Sequence, residues 1–134
     1  MYNKIIVPLS LEHGYASKAL GIARKLKSAG GSIIAVHVLE PLHSSVKAYV
    51  PQEHLAEFRQ AAENEMAQRI GDDKEIESVL LIGNTGLAVT EYADEVGADC
   101  IVVGSHKPGL EDYLLGSTAA RIVRHAPCSV HVLR

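Results

Sequence analysis

The stretch of residues 103–117, VGSHKPGLEDYLLGS, carries the residue types in this chain that are best suited to holding an anion. Gly104 directly follows an apolar run, and Gly116, Ser117 and Thr118 open a helical pattern. A glycine lets the backbone approach phosphate oxygens closely, and the free N–H groups of a helix N-terminus favour negative charge. The spacing therefore predicts a phosphate-binding loop, with an ordinary turn before a helix capped by Ser117 as an equally weighted alternative.

Other residues of this loop could take part in such a site. Lys107 could supply positive charge, Gly109 lies in the same loop, and His106 is expected to contact a ligand or pack in the loop rather than to catalyse. Glu111 and Asp112 could hold Mg²⁺ against phosphates, although a solvated surface position is the favoured interpretation. The string matches neither GxxxxGK[ST] nor GxGxxG, so a dinucleotide site is disfavoured.

The elements that would position this loop alternate along the chain. Short apolar runs predict strands over residues 4–8, 32–39, 76–82, 99–103 and 128–133, and helical spacing predicts helices over 13–29, 52–70, 86–96 and 117–125. Such alternation is typical of an α/β domain with a parallel sheet and helices on both faces. Glycines should end the helices at their C-termini: Gly30-Gly31 the first, Gly71 the second and Gly97 the third.

Two further segments carry expectations. Leu55, Phe58, Ala62, Met66 and Ile70 share one face of the second helix and should point inward. Residues 40–51 are irregular, and a lid over the neighbouring site and a plain surface connection are equally weighted interpretations.

Composition bounds the function. The chain has 134 residues, 47% of them hydrophobic and only 4% aromatic, so an aliphatic core of the parallel-sheet kind is expected. A formal net charge of −3 argues against nucleic acid as the main partner, because phosphate neutralisation supplies most of such affinity. No stretch predicts a signal peptide or membrane insertion, and Cys100 and Cys128 are expected to be buried and reduced. A cytoplasmic location is predicted.

Ligands of open parallel sheets bind beyond the carboxyl ends of the strands, where the strand order reverses. Four short segments should lie there: residues 8–10, 38–41, 83–86 and 104–109.

The residues of the last third show a family resemblance. The segment GSHKPGLEDYLLGSTAARIVRHAPCSVHVLR closely resembles the C-terminal third of the universal stress protein family, KIIVPLS its first strand and VHVLEP its second. The resemblance covers residues 1–134 as one domain. It implies a doubly wound, five-stranded Rossmann-like sheet of order 3-2-1-4-5, as in the adenine nucleotide alpha hydrolase-like folds. The loop form ending in YLLGS is similar to the F/G-type branch, which is associated with bound adenine nucleotide.

The resemblance also implies a site for ATP or AMP. The base would rest at the ends of the first two strands, and the ribose and phosphates would lie along the glycine-containing loop. The implied residues are Pro8, Leu9, Ser10, Val38, Val103, Gly104, His106, Lys107, Gly109, Gly116, Ser117 and Thr118. Two of them depart from the family's usual residues. Lys107 stands in place of the second glycine of the pattern GxxGx(9)G[ST], and Ser10 stands where the family usually has an aspartate, two residues after the proline of the first strand.

The last strand, CSVHVL, would leave backbone groups unpaired if it lies at a sheet edge. The resemblance implies a homodimer through antiparallel pairing of these strands.

Three functions remain open at this point. The first is a nucleotide-binding regulatory or stress protein with at most slow hydrolysis or self-phosphorylation, since no strong general base or dedicated metal site is visible. The second is an ATP-using enzyme domain. The third is a nucleotide-free dimeric interaction module, which Lys107 and Ser10 favour.

Overall fold

The computed structural model describes residues 1–10, 15–105 and 115–134. Five strands form the sheet: β1 (Tyr2–Pro8), β2 (Lys27–Leu39), β3 (Ile76–Ile82), β4 (Cys100–Gly104) and β5 (Ser129–Leu133). The helices are α1 (Tyr15–Leu26), α2 (Ser44–Lys47), α3 (Gln52–Ile70), α4 (Thr85–Val96) and α5 (Ser117–His125). Every strand pair is parallel and the order is β3-β2-β1-β4-β5, which confirms the predicted α/β class and topology.

The core consists of two apolar layers, one on each face of the sheet. Side chains alternate along β1, so Ile5 and Val7 enter the layer beneath α1 and α3 while Ile6 enters the layer beneath α4 and α5. Leu20 and Met66 close the first layer, and Val89 and Ile122 belong to the second. The sheet is therefore covered on both faces, as the alternating pattern predicts.

The first helix ends earlier than its sequence suggests. α1 stops at Leu26, whereas the glycine pair predicted helix to residue 29. Residues 27–30 belong to β2 instead, and the pairing of β1 with β2 shifts register there. Gly30 has φ 78°, and a Cβ on Gly31 would lie 3.1 Å from the carbonyl oxygen of Asn3. The two glycines thus serve a strand irregularity and not a helix cap.

Other boundaries follow the predictions closely. Gly71 and Gly97 end α3 and α4 with positive φ, as expected. Asp99 lies just before β4, and its carboxylate accepts hydrogen bonds from the backbone N–H groups of Asn3 and Lys4 at 2.8 and 2.9 Å. Burial raises the pKa of this carboxyl, but the backbone donors outweigh it and the net pKa is lowered. Asp99 therefore ties β4 to β1.

The inward stripe predicted for α3 is wrong at Phe58, and Leu55 is half-buried. Ala62 and Met66 are buried, whereas Phe58 is 67% exposed. α3 contacts both β2 and β3, and its buried residues lie in its C-terminal half. The preceding residues 40–49 are all exposed and contain only the short α2.

The two cysteines are free thiols, Cys100 buried and Cys128 half-buried. Burial, with a smaller effect of Cys128, raises the pKa of Cys100 to about 11, so this thiol packs and does not react. Across the described ranges, no helix is both long and apolar enough to span a membrane.

Candidate functional site

A cavity of about 580 Å³ opens at the carboxyl ends of the strands. It lies beyond the end of β1, which has β2 on one side and β4 on the other. This is the point at which the strand order reverses. Its wall is formed by Pro8, Leu9, Ser10, Tyr15, Ala16, Ala19, Val36, His37, Val38, Glu40, Thr85, Val103, Gly104, Ser105, Gly116, Ser117, Thr118 and Ala119.

The predicted site residues that the structure describes all line this cavity. They are Pro8, Leu9, Ser10, Val38, Val103, Gly104, Gly116, Ser117 and Thr118. His106, Lys107 and Gly109 lie outside the described residues, as do Glu111 and Asp112. The ends of three strands and the start of α5 thus meet around one space, although the sequence separates them by up to 110 positions.

Backbone hydrogen bonds hold the end of β4 against the start of α5. The N–H of Gly116 donates to the carbonyl of Ser105 at 3.1 Å, and the N–H of Ser105 donates to the carbonyl of Leu133 at 2.8 Å. Gly104 and Gly116 are consequently close neighbours. The same geometry corrects one expectation, because the N–H of Gly116 is engaged and is not free for a phosphate.

The free donors of α5 begin one residue later. Gly116 is the N-cap residue and makes no side-chain cap, so the alternative in which Ser117 caps the helix is wrong. The first bond of the helix runs from the N–H of Ala120 to the carbonyl of Gly116 at 2.9 Å. The N–H groups of Ser117, Thr118 and Ala119 therefore have no acceptor within the helix. These three residues face the cavity.

Neither glycine is required by the protein's own packing. Gly116 has φ −57° and ψ 157°, which any residue can adopt, and its Cβ would make an ordinary contact of 3.5 Å with the carbonyl of Ser105. A Cβ on Gly104 would meet no described atom within 4 Å. α5 also has no acidic residue in its first turn, so the helix dipole there is uncompensated by its own side chains. The arrangement leaves room and donors for an anion.

The opposite wall of the cavity is apolar and fixed. Pro8 is half-buried at the end of β1, and Val36 and Val38 at the end of β2 are buried. The N–H of Leu9 donates to the carbonyl of Val36 at 2.7 Å, and the Nδ1–H of His37 donates to the carbonyl of Leu9 at 3.0 Å. His37 therefore has a structural role and also lines the cavity.

Sequence reasoning did not name six of the wall residues as part of the site, which are Tyr15, Ala16, Ala19, Val36, His37 and Ala119. Glu40, Thr85 and Ser105 fall within the segments predicted to lie at the carboxyl ends of the strands. Their positions in the sequence therefore predicted a place near the site, although their residue types did not. The hydroxyl of Thr85 donates to the carboxylate of Glu40 at 3.3 Å. Tyr15 comes from α1, and its place in the wall depends on how that helix packs.

α4 begins beside this cavity and is capped. Asn84 is its N-cap residue, and its Oδ1 accepts from the N–H of Leu87 at 3.3 Å and from Nη1 of Arg121 at 3.1 Å. A Cβ on Gly86 would lie 2.9 Å from the side chain of Arg121, so α4 and α5 pack closely. Arg121 thereby fixes α5 relative to the start of α4.

Across residues 1–10, 15–105 and 115–134, no group of three or more His, Cys, Asp or Glu side chains is arranged to hold a metal ion.

Comparison with known proteins places the whole chain in one family. The model of the universal stress protein family matches residues 1–134. Universal stress protein G of Shigella flexneri is 32% identical over 143 residues, and the alignment covers 100% of each chain. The solved universal stress protein UspA from Lactobacillus plantarum superimposes with a TM-score of 0.76 at 24% identity, covering 99% of this chain and 98% of that one.

Two further solved relatives contain small ligands. A universal stress protein in complex with cAMP has a TM-score of 0.64 and 24% identity, and covers 99% of this chain and 97% of its own. The universal stress protein from Archaeoglobus fulgidus in complex with dAMP has a TM-score of 0.66 and 21% identity, covering 99% and 98%. At these identities the likeness establishes the fold.

Proposed function

The chain belongs to the universal stress protein family, and from that premise we propose that it binds an adenine nucleotide, ATP or AMP, as a regulatory ligand. The observation that carries the proposal is the uncapped N-terminus of α5, which opens beside Gly104 into a cavity of about 580 Å³. Two relatives with the same fold are complexes with cAMP and dAMP, which are adenine nucleotides.

The nucleotide would bind with its phosphates at α5. The N–H groups of Ser117, Thr118 and Ala119 have no acceptor within the helix, and with the hydroxyls of Ser117 and Thr118 they form a group of hydrogen-bond donors in the cavity wall. The helix dipole adds positive potential there. Gly104 leaves the space that a phosphate chain needs, since no described atom lies within 4 Å of its missing Cβ.

The base would then lie towards β1 and β2. Pro8 and Val38 would supply aliphatic contacts to an aromatic ring, and backbone groups at the end of β2 would hydrogen-bond the edge of the base. Ser10 would contact the ribose or base with a hydroxyl where the family usually has a carboxylate, so a weaker contact is expected there. His106, Lys107 and Gly109 remain proposed contacts, and Glu111 and Asp112 proposed neighbours of any bound Mg²⁺.

We propose binding with at most slow turnover. Glu40 is the only carboxylate among the described residues that line the cavity, and it accepts a hydrogen bond from Thr85. His37 commits its Nδ1–H to the carbonyl of Leu9. A general base for hydrolysis must reach the attacking water. Glu40 and His37 would lie near the adenine and not near the phosphates at α5.

One set of measurements tests this function. The protein is purified without added nucleotide, its bound small molecules are identified by mass spectrometry, and ATP, ADP and AMP binding is followed calorimetrically with and without Mg²⁺. ATP is then incubated with the protein for hours. Bound adenine nucleotide with little hydrolysis is the expected result. Rapid hydrolysis would favour an ATP-using enzyme domain, and the absence of both retained nucleotide and ATP-dependent thermal stabilisation would leave a nucleotide-free interaction module.

The proposal includes a homodimer through β5. This strand is at the end of the sheet order and pairs with β4 on one side. The carbonyl of Leu133 faces β4, because it accepts from Ser105. Backbone groups alternate along a strand, so those of Val130 and Val132 point to the open edge. Val132→Pro removes an outward N–H and is expected to give a monomer in analytical ultracentrifugation, while an unchanged mass would contradict pairing through β5.

A cytoplasmic location is also part of the proposal. The free thiols of Cys100 and Cys128 support it, because reducing compartments keep cysteines in this form.

A further inference from the structure

A second groove, of about 510 Å³, lies between the outer surfaces of α4 and α5. Leu87, Thr90, Glu91 and Asp94 line it from α4, and Arg121, His125 and Pro127 line it from α5 and the turn that follows. None of these residues lines the nucleotide cavity. The proposed nucleotide site therefore makes no use of this surface.

The two sides of the groove carry opposite charge. The charged residues of α4 are Glu91, Asp94 and Glu95, all acidic and all exposed. Those of α5 are Arg121, Arg124 and His125, all basic and all exposed. We refer to the first three as the acidic rim and to the last three as the basic rim.

The rims do not neutralise each other by direct contact. In the described part of the chain, the ion pairs join Arg24 to Asp73 and residues within α3, and none crosses this groove. Arg121 donates instead to the side chain of Asn84. The charges of both rims are thus available to a partner.

Apolar surface accompanies the rims. Leu87, which lines the groove from α4, is 46% exposed. Exposed apolar surface beside charged side chains is a usual feature of an interface between proteins.

We propose that this surface binds a second copy of the chain, related by a two-fold axis that runs along the groove. α4 and α5 each lead into a strand of the same parallel sheet, so the helices lie side by side and run in the same direction. Rotation about the groove axis places α4 of one copy over α5 of the other, and each acidic rim then meets a basic rim. Rotation about an axis across the groove would set like rims on each other and is disfavoured by repulsion.

This interface is distinct from pairing through β5. The strand lies at the edge of the sheet, whereas α4 and α5 cover one of its faces. A copy bound at the rims would leave the outward backbone of Val130 and Val132 accessible.

Charge reversal tests the proposal by analytical ultracentrifugation at low salt. Glu91→Lys/Asp94→Lys and Arg124→Glu/His125→Glu should each raise the dissociation constant of this contact by at least about tenfold, because every substitution acts twice in a two-fold interface. Each variant alone should therefore show half the particle mass of the parent protein. An equimolar mixture should recover the parent mass, since the lysines of one variant then face the glutamates of the other.

The matched control is Glu53→Lys/Glu57→Lys, which makes the same change of charge as the α4 variant on exposed residues of α3. It should leave the particle mass unchanged, and thermal unfolding checks that every variant is folded. The proposal is overturned if the parent and both rim variants have one mass, if the mixture does not recover the larger particle, or if the control dissociates as the rim variants do. A bipolar peptide as the true partner would give the first of these results.

Discussion

α4 follows β3 and α5 follows β4, so both helices begin at the carboxyl edge of the sheet, but their N-termini are built differently. At α4, Asn84 accepts from the N–H of Leu87 and from Arg121. At α5, Gly116 takes the cap position and offers no side chain to the first turn. One helix start is closed by the protein's own groups, and the other opens into the cavity.

We infer that this difference separates a structural helix start from the proposed binding one. An Asn cap stabilises a helix by about 1 kcal/mol relative to Ala, and the chain uses one where no ligand is expected. At α5 the chain supplies no side-chain cap, so the N–H groups of the first turn have no acceptor within the helix. Their proposed partner is a phosphate beside Gly104. Arg121 links the two, because it belongs to α5 and contacts the cap of α4.

The largest expected effect comes from filling the open side. Gly104→Val should place a side chain in the space assigned to the phosphates and weaken ATP binding at least about a hundredfold, ~2.7 kcal/mol. Stability should hold, because no described atom lies within 4 Å of the new Cβ. Isothermal titration calorimetry and thermal unfolding give the two numbers.

Gly21→Val is the control for that substitution. Gly21 lies on α1, away from the cavity lining, and its Cβ also meets no described atom within 4 Å. ATP affinity should be that of the parent protein. Equal affinity losses in both variants would show that Gly104 has no special place in the site.

The closed side should respond in stability and not in affinity. Asn84→Ala removes the cap and the acceptor of Arg121, so the free energy of unfolding should fall by about 1–2 kcal/mol. Urea unfolding measures it, with Asn64→Ala on the exposed face of α3 as a control expected to stay within about 0.5 kcal/mol. If Asn84→Ala instead lost nucleotide affinity at unchanged stability, the roles assigned to the two helix starts would be reversed.

The smallest effect is expected from a single hydroxyl. Ser117→Ala should weaken ATP binding about fivefold, the value of one hydrogen bond of ~1 kcal/mol, because the backbone donors of α5 stay in place. Ser17→Ala, on the exposed side of α1, serves as the control in the same titration. A loss as large as that of Gly104→Val would mean that side chains, and not backbone donors, carry the phosphate contact.

Much of this comparison was accessible from the sequence. The bounds of α3 and α5 follow from their helical spacing, and the segments after the strands do meet around one cavity because parallel strands end at one edge. The strand order came from family resemblance.

The remainder depends on tertiary contacts that local patterns do not encode. Gly30 and Gly31 resemble a helix cap, but a shift of register between β1 and β2 uses them. Phe58 fits an inward stripe, yet its side chain is exposed. The engagement of the Gly116 N–H by Ser105 follows from how the chain leaves β4. Tyr15 reaches the cavity only through the packing of α1.

The most direct test gives α5 the cap that α4 already has. Gly116→Asp fits the existing backbone, with φ −57° and ψ 157° and a Cβ in ordinary contact with Ser105. Its carboxylate should cap the first turn and raise the free energy of unfolding by about 0.5–1 kcal/mol. The same carboxylate would occupy and repel the phosphate position, so nucleotide affinity measured by calorimetry should fall at least about tenfold. A stabilised variant that binds ATP as tightly as the parent would contradict the assignment of α5's open N-terminus as the phosphate site.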